Sequence, residues 1–364
     1  MKKNIQILGA GQTSMLASIM LAKRGYVVSI LDNKPLKQSH FALLRFGSRA
    51  IEEETGIKLE EVEIKKNIYF DGSLHNESNI KFDNLYSQKV TGKIQRRSIG
   101  NLGVGKRYIP PVDFFDQLKS RCHELEVETA NCDSNNRSPL DLIDGDCRKE
   151  NSTIISTLPM PKVYNLVHEG EIKFDFEKIY TVEFEIPNCN VHQTIYYPKM
   201  DRSTPAYRIS VVGSFIKCEI SQSSYDDFKQ HELSEDGQQI KESSFAFQYL
   251  LDNLANQILS SFGIDVGVDV VKDKTNTCLF DGMEKVIKEQ KFGKISPINE
   301  ELRHSIIYNL TRQQGVYSLG RFSCWRSIML DGVVNDVKRI ENLIKLGNLT
   351  GYESAKSMAA RLST

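Results

Sequence analysis

Asn4-Ile5-Gln6-Ile7-Leu8, then Gly9-Ala10-Gly11-Gln12-Thr13-Ser14, then an apolar helical run, then Val27-Val28-Ser29-Ile30-Leu31-Asp32: this opening stretch decides the fold. The apolar run before Gly9 predicts a buried strand. Met15, Leu16, Ile19, Met20 and Leu21 recur at helical spacing and predict a helix over 12–24. Residues 27–32 predict a second strand ending in a carboxylate. In this setting Gly9 allows a tight turn, and Gly11 lets the backbone approach a pyrophosphate. Ser14, where a third glycine usually stands, is small enough for the helix to pack on the sheet. The helix amino end offers free N–H groups and a partial positive charge to phosphates. Asp32 lies about 20 residues beyond the glycines, where an acid accepts a ribose hydroxyl. A strand, a glycine turn, a helix and an acid in that order predict a dinucleotide site.

Working outward, the segment His40-Phe41-Ala42-Leu43-Leu44-Arg45-Phe46 follows near the glycine end of the sheet. Residues 48–56 read as a helix stopped by Gly56. Short strand-like runs come next: Val62–Ile64, Ile68–Phe70 and Ile80–Phe82. Pro110 and Pro111 precede a predicted helix over 112–122, and Glu126–Thr129 reads as a further sheet strand. Thr153–Leu158 is a short buried strand closed by Pro159, its carboxyl end facing the crevice of a doubly wound sheet. From 178 to 220 apolar and polar residues alternate, which predicts an antiparallel sheet with a hairpin at Gly213-Ser214. Phe245–Phe262 reads as a helix with an apolar face. Residues 266–297 return to strands and loops, and the chain then rejoins the first lobe.

Composition sets bounds on function. The chain has 364 residues, enough for two lobes, with 47 basic and 47 acidic side chains. A formal net charge of zero argues against a general electrostatic grip on nucleic acid, although a local basic groove would be hidden in the total. The seven cysteines include no C-x-x-C pair, so neither a zinc site nor a redox dithiol is expected. Their scatter fits free thiols in a reducing cytoplasm, the expected location. No run approaches the roughly 18 apolar residues of a membrane span. The acidic run Glu52-Glu53-Glu54 reads as a helix surface, because consecutive helical positions point apart; no metal is expected.

The carboxyl-terminal part carries the second signal. Tyr317-Ser318-Leu319-Gly320-Arg321-Phe322-Ser323-Cys324-Trp325-Arg326 predicts a strand, a glycine turn and a loop. Ile328-Met329-Leu330-Asp331-Gly332-Val333 then opens an amphipathic helix over 331–346, with Val333, Val334, Val337, Ile340 and Ile344 on one side. Its amino end suits electron density on a flavin pyrimidine ring.

Taken with the opening fingerprint, Asp32 and the 154–159 strand, this closing motif resembles FAD-dependent oxidoreductases of the glutathione-reductase fold. Among them it is most similar to the amine-oxidase and protoporphyrinogen-oxidase-like branch, which includes UDP-galactopyranose mutase. The resemblance implies an α/β fold, a Rossmann-like FAD-binding domain with an inserted, mainly antiparallel β substrate domain. The division expected is 1–47, 105–165 and 300–364 for FAD, and 48–104 and 166–299 for the cap. It implies that Gly9, Gly11 and Ser14 bracket the pyrophosphate and that Asp32, shorter than the usual glutamate, holds the adenosine ribose. Val127 would offer backbone contacts to adenine, and Gly320, Arg321, Leu330 and Asp331 would lie along the ribitol and flavin. No Cys-x-x-x-x-Cys pair and no second glycine fingerprint occur, which argues against a disulfide reductase and a stable NAD domain.

Substrate is expected between the flavin and the inner face of the antiparallel lobe. Tyr197, Tyr207 and Arg208 are the candidates there, since an arginine among aromatic residues can clamp a carboxylate or phosphate; ordinary strand-face packing is the competing reading. Trp325 is divided between a flavin contact and plain packing. His40 and Arg45 follow the Asp32 strand and are candidates for facing the flavin or pyrophosphate, with His40 as a proton relay. Lys106 and Arg107 form a basic turn suited to steering an anion. The expected activity is hydride transfer from a small amine-like or other C–H substrate to FAD. The alternative is a flavin-dependent mutase of a nucleotide sugar, for which Arg107 and Arg208 would bind a pyrophosphate. A flavin-bound protein without turnover is a third reading, and no residue argues for it specifically.

Overall fold

The computed structural model describes residues 3–32, 43–94, 99–131, 141, 143, 152–185, 190–201, 203–227, 245–262 and 287–346. Two sheets organise these residues. The first is parallel and five-stranded, in the order β13-β7-β1-β2-β6. Its strands are β1 (Asn4–Leu8), β2 (Val27–Asp32), β6 (Glu128–Asn131), β7 (Ser152–Ser156) and β13 (Val316–Ser318). Strands from both ends of the chain therefore share one sheet. Ile5, Ile7 and Leu8 of β1 have no accessible surface, as expected of a central strand covered on both faces. Helix α1 (Gln12–Lys23) follows the glycine turn, and eight of its residues are buried. It packs against α2 (Ala50–Thr55), α4 (Phe114–Glu124) and α7 (Leu330–Lys345).

The second sheet is mainly antiparallel and runs β12-β8-β11-β10-β9-β3-β4, with β5 on β3. Its members are β3 (Glu60–Phe70), β4 (Ser73–His75), β5 (Gly103–Ile109), β8 (Phe176–Glu185), β9 (Val191–Tyr196), β10 (Ala206–Gly213), β11 (Phe215–Ser221) and β12 (Ile287–Ile295). The Gly213-Ser214 turn joins β10 to β11 as read from the sequence, with Gly213 at φ +59°. One face carries Ala206, Ile209, Val211, Ile216, Cys218 and Ile220, which pack on Leu250, Leu251, Leu254 and Ile258 of α5 (Phe245–Phe262). The opposite face is polar around Thr194, Ser210 and Arg208, and elsewhere carries Ile68, Ile179 and Tyr207 packed against Phe82, Tyr86 and Val90.

Several local expectations differ from the structure. Ile80–Phe82 is the first turn of a helix, α3 (Ile80–Thr91), and not a strand. The Asn79 side chain accepts a hydrogen bond from Phe82 N–H at 3.0 Å, and Gly92 ends the helix in the left-handed region. The apolar residues Ile80 and Phe82 alternate over too short a span to separate the two periods. The strand placed at Glu126–Thr129 starts two residues later, because the α4 carboxyl end continues as a turn: Val127 N–H donates to Cys122 O at 3.0 Å. Residues 300–314, where the apolar pattern predicts no element, form α6 (Glu300–Gln314), capped by the Asn299 side chain and stopped at Gly315. Two stretches also pack across the expected division. Ile51 of α2 is in the core of the parallel sheet, and β5, from residue 105 on placed with that sheet, pairs with β3.

Candidate functional site

Parallel strands end together, and their carboxyl ends lie side by side. Leu8 is level with Leu31 and Ser156, Ser156 with Ser318, and Asp32 with Asn131. Gly9 leaves β1 at φ +103°, a conformation that disfavours any side chain. A Cβ there would also lie 2.4 Å from Thr157 Oγ1, so the glycine is required by contact as well as by the turn. Thr157 Oγ1 donates to Leu8 O at 2.8 Å and shares a hydrogen bond with Ser14 Oγ at 2.9 Å. Ser14 is therefore bonded to the end of β7 and is not only a small packing residue. Thr157 is a part of the turn that residue reading passed over; its position, right after a strand expected to end at the crevice, was the available signal.

Gly11 differs from Gly9. It is the N-cap of α1 in extended conformation, no side chain caps the helix, and a Cβ on it would meet nothing within 4 Å. The space beside Gly11 is open, and a helix amino end without a side-chain cap is of the kind that accepts a phosphate. Asp32 ends β2 beside Asn131. Val127 does not share this end. It precedes β6, at the amino ends of the strands, with its side chain in the core and its N–H spent on Cys122 O. The position at the carboxyl end of that strand is Asn131. His40 lies outside the described residues.

The closing loop arrives from the other end of the chain. Leu319 N–H donates to Ser156 O, and Met160 N–H to Phe322 O, both at 2.9 Å. Gly320 has φ +89°, and a Cβ on it would lie 2.8 Å from Thr13 Cγ2. The loop glycine is thus pressed against the first turn of α1. Leu330 opens α7, half-buried against the core. Asp331, in the first turn of α7, accepts from Gly47 N–H at 2.8 Å and from Ser48 Oγ at 3.4 Å. That bond ties the closing helix to the segment after β2. Arg321 donates to Gly293 O on β12 at 3.3 Å, joining the loop to the antiparallel sheet.

Trp325 is a core residue. It is 1 % exposed, its indole N–H donates to Ser296 O at 2.9 Å, and Phe174 and Phe292 meet its ring edge-on. Its φ of +46° is unusual for a large side chain and is held by this packing. Of the two readings of Trp325, the geometry is that of packing.

The three substrate candidates of the antiparallel lobe separate. Tyr197 is on the α5 side of the sheet, 1 % exposed, with its hydroxyl bonded to Ser261 Oγ at 2.5 Å; it faces away from Arg208. A register shift between Ala206 and Arg208 turns both Tyr207 and Arg208 toward Glu219. Arg208 pairs with the Glu219 carboxylate, and the Tyr207 hydroxyl donates to its other oxygen at 2.5 Å. Tyr207 has no accessible surface, so it acts through Glu219. Burial alone would raise the Glu219 pKa, but the charges of Arg208 and Lys294, with the two hydrogen bonds, hold it at about 2.

Arg45 crosses from the first lobe to this face, donating to Thr194 Oγ1 and, at 3.3 Å, to Ser210 Oγ. Burial first, and then the charge of Arg208, lower its pKa to about 10. It meets hydroxyls of the sheet and not the glycine turn.

No protein-family model matches this chain, and no curated protein does. Solved structures do. A four-substitution form of PqsL from P. aeruginosa aligns with TM-score 0.50 at 13% identity, over 100% of this chain and 91% of that one. PqsL from Pseudomonas aeruginosa, described as a probable FAD-dependent monooxygenase, gives 0.49 at 14% identity over 100% and 91%. A geranylgeranyl bacteriochlorophyll reductase-like protein from Thermoplasma acidophilum gives 0.47 at 11% over 100% and 82%. The first of these likenesses shows a shared fold: a parallel α/β sheet joined to a separate, mainly antiparallel one.

Proposed function

We propose that this chain is an FAD-dependent oxidoreductase acting on a small molecule. The single observation that carries the reading is the contact between the chain ends: Gly320 sits against Thr13, directly after the Gly9–Gly11 turn, with both Gly9 and Gly320 at positive φ. A cradle of two glycine turns at the carboxyl ends of parallel strands is suited to an extended dinucleotide. The residues fit the group. Gly11 and the α1 amino end would take the pyrophosphate, Asp32 the adenosine ribose, and the Gly320–Arg321 loop with the α7 amino end the flavin half. When bound, a flavin supplies hydride or electron chemistry that no side chain has.

The protein's own residues then do three things. The Gly9, Gly11 and Gly320 backbones let the cofactor approach. Asp331 fixes α7 to Gly47, so that the amino end of α7 keeps its place. The polar face around Arg208 offers the substrate its binding surface. The finer reading, hydride taken from a C–N or C–H bond as in the amine-oxidase-like branch, is supported by the closing motif of the sequence.

Purification with a visible spectrum, followed by release and mass determination of the cofactor, tests the reading. Absorbance near that of oxidised flavin and the mass of FAD are expected. A colourless protein that binds NAD but not FAD overturns it. Anaerobic bleaching by substrate supports net oxidation, whereas turnover only after prereduction, without net redox change, selects the mutase-like alternative.

A further inference from the structure

Around Thr194 and Ser210, the polar face of the antiparallel sheet gathers cations that its paired carboxylates, Glu219 and Glu183, do not answer. Strand register aligns the residues. Lys66 of β3 is level with Thr194 of β9, Thr194 with Ser210 of β10, and Tyr196 with Arg208. Arg107 of β5 is level with Val62, four residues before Lys66, and on the same face by alternation. Arg45 reaches over Thr194 and Ser210 from the other lobe. Four cations thus meet on one surface, with Lys294 4.0 Å from Glu219 at its edge.

Of the carboxylates on this face, Glu219 has its two oxygens occupied by Arg208 and Tyr207, and Glu183 is taken up by Lys217 and Lys288 farther along the sheet. Among the described residues, Arg45 is bonded only to hydroxyls, and Arg107 only to the carbonyl of Lys106, at 2.6 Å. Arg208 Nε is buried with no hydrogen-bond partner, although a fifth of the side chain is accessible. Lys66 is half-buried, while the neighbouring Lys65 points to solvent. The cations feel one another: burial first, then Arg107, Arg45 and Arg208, bring Lys66 down to about 8. Unpaired cations held together on a partly dry surface are an unfavourable arrangement that a bound anion would relieve.

We propose, resting on the oxidoreductase reading above, that the substrate carries an oxyanion, carboxylate or phosphate, held between Lys66, Arg45 and the Nε edge of Arg208. Thr194 and Ser210 supply neutral partners beside it. Glu219, fastened by Tyr207, keeps the Arg208 guanidinium in place and leaves its remaining edge to the ligand. An arginine fixed in this way suits the planar, two-oxygen end of a carboxylate or phosphate. Val62, Ile64 and Ile109 pack beside the cations as a small buried cluster that holds this part of the sheet together.

Calorimetric titration of the purified full-length protein tests this, with benzoate, phenyl phosphate and uncharged benzamide as probes. The anions bind, the more tightly bound one names the group, affinity falls with added salt, and benzamide does not bind. Lys66→Gln weakens anion binding by at least about tenfold, or about 1.4 kcal/mol, whereas Lys65→Gln leaves it unchanged. Benzamide binding as tightly as benzoate, or salt-independent affinity, overturns the proposal without recourse to a variant. So does a folded Lys66→Gln protein with wild-type affinity, or a flavin-bearing protein that takes neither anion; in that last case the oxidoreductase reading stands. Lys66-dependent anion binding by a protein that holds no flavin keeps the anion site and removes the oxidoreductase reading.

Discussion

Glu219 shows how one side chain can hold a surface together. It is 3 % exposed and ionised, with its charge answered by Arg208 and a hydrogen bond from Tyr207. Removing one partner of such a pair leaves the other charge buried and alone. Glu219→Gln is therefore expected to cost about 3 kcal/mol at neutral pH in urea unfolding, the low end for a broken buried pair. The sign with pH follows from the depressed pKa. The native carboxyl titrates at about 2 against an ordinary 4.5, so its contribution is complete above 4.5 and is lost as pH falls toward 2. The gap between wild type and variant closes in acid; a gap that stays constant would refute the pairing.

Lys89 is the opposite case. It is 1 % exposed, donates to the carbonyls of Lys199 and Thr204 at 2.9 and 2.6 Å, and burial lowers its pKa from 10.5 to about 7. Between those values the unfolded chain binds the proton and the native state releases it, so stability rises with pH across that window. Lys89→Met removes this component. The slope of unfolding free energy against pH, measured from 7 to 10, is expected to be smaller in the variant.

At the scale of elements, the two glycines of the first turn make separable predictions. Gly9→Ala adds a Cβ at positive φ and 2.4 Å from Thr157, so the protein should be strongly destabilised. Gly11→Ala adds a Cβ into open space at ordinary φ. The thermal midpoint of the cofactor-free protein should stay near wild type, and under the proposed function flavin content should fall, because the methyl would occupy the approach of the pyrophosphate. Equal flavin retention in Gly11→Ala would place the phosphates elsewhere. Helix α7 depends on its first turn. Asp331→Ala removes the bonds to Gly47 and Ser48 and the favourable charge at the helix amino end, a loss of about 1–2 kcal/mol, readable as a lower thermal midpoint.

Element types were legible where a signal extended over many residues. The opening strand, glycine turn and helix were read from contiguous periodicity, and the 178–220 strands from long alternation. Helix α3 was misread because only Ile80 and Phe82 entered the pattern, although Asn79 and Gly92 mark its two ends. The α6 helix was missed despite Asn299 and Gly315 at its borders. Caps carried information that short apolar runs did not.

Across the whole molecule, the two sheets meet at the closing loop. Trp325 lies there against Phe174 and Phe292, and Arg303 of α6 donates to Cys324 O at 3.1 Å. The sole tryptophan is thus a reporter of this joint. Its emission should be blue-shifted in the native protein and, under the proposed function, should shift red at the same denaturant concentration at which flavin is released. Flavin release well before the shift would mean that the cradle opens without the joint.

Order along the chain was enough to read a dinucleotide-type sheet, since a turn glycine, a helix and a terminal acid are neighbours whose spacing directly sets their geometry. Facing was not readable in that way. Tyr197, just past β9, and Tyr207 and Arg208 of neighbouring β10 lie close together, yet one packs on α5, one is buried under Glu219 and one stays accessible. A single bulge and the partners packed on each face make the difference, and those partners are more than 10 residues away or on another lobe. The same holds for Arg45, whose contacts are 149 and 165 residues distant. Local sterics and periodicity act through adjacent residues and are visible in their order; burial and charge pairing act through space and require the folded chain.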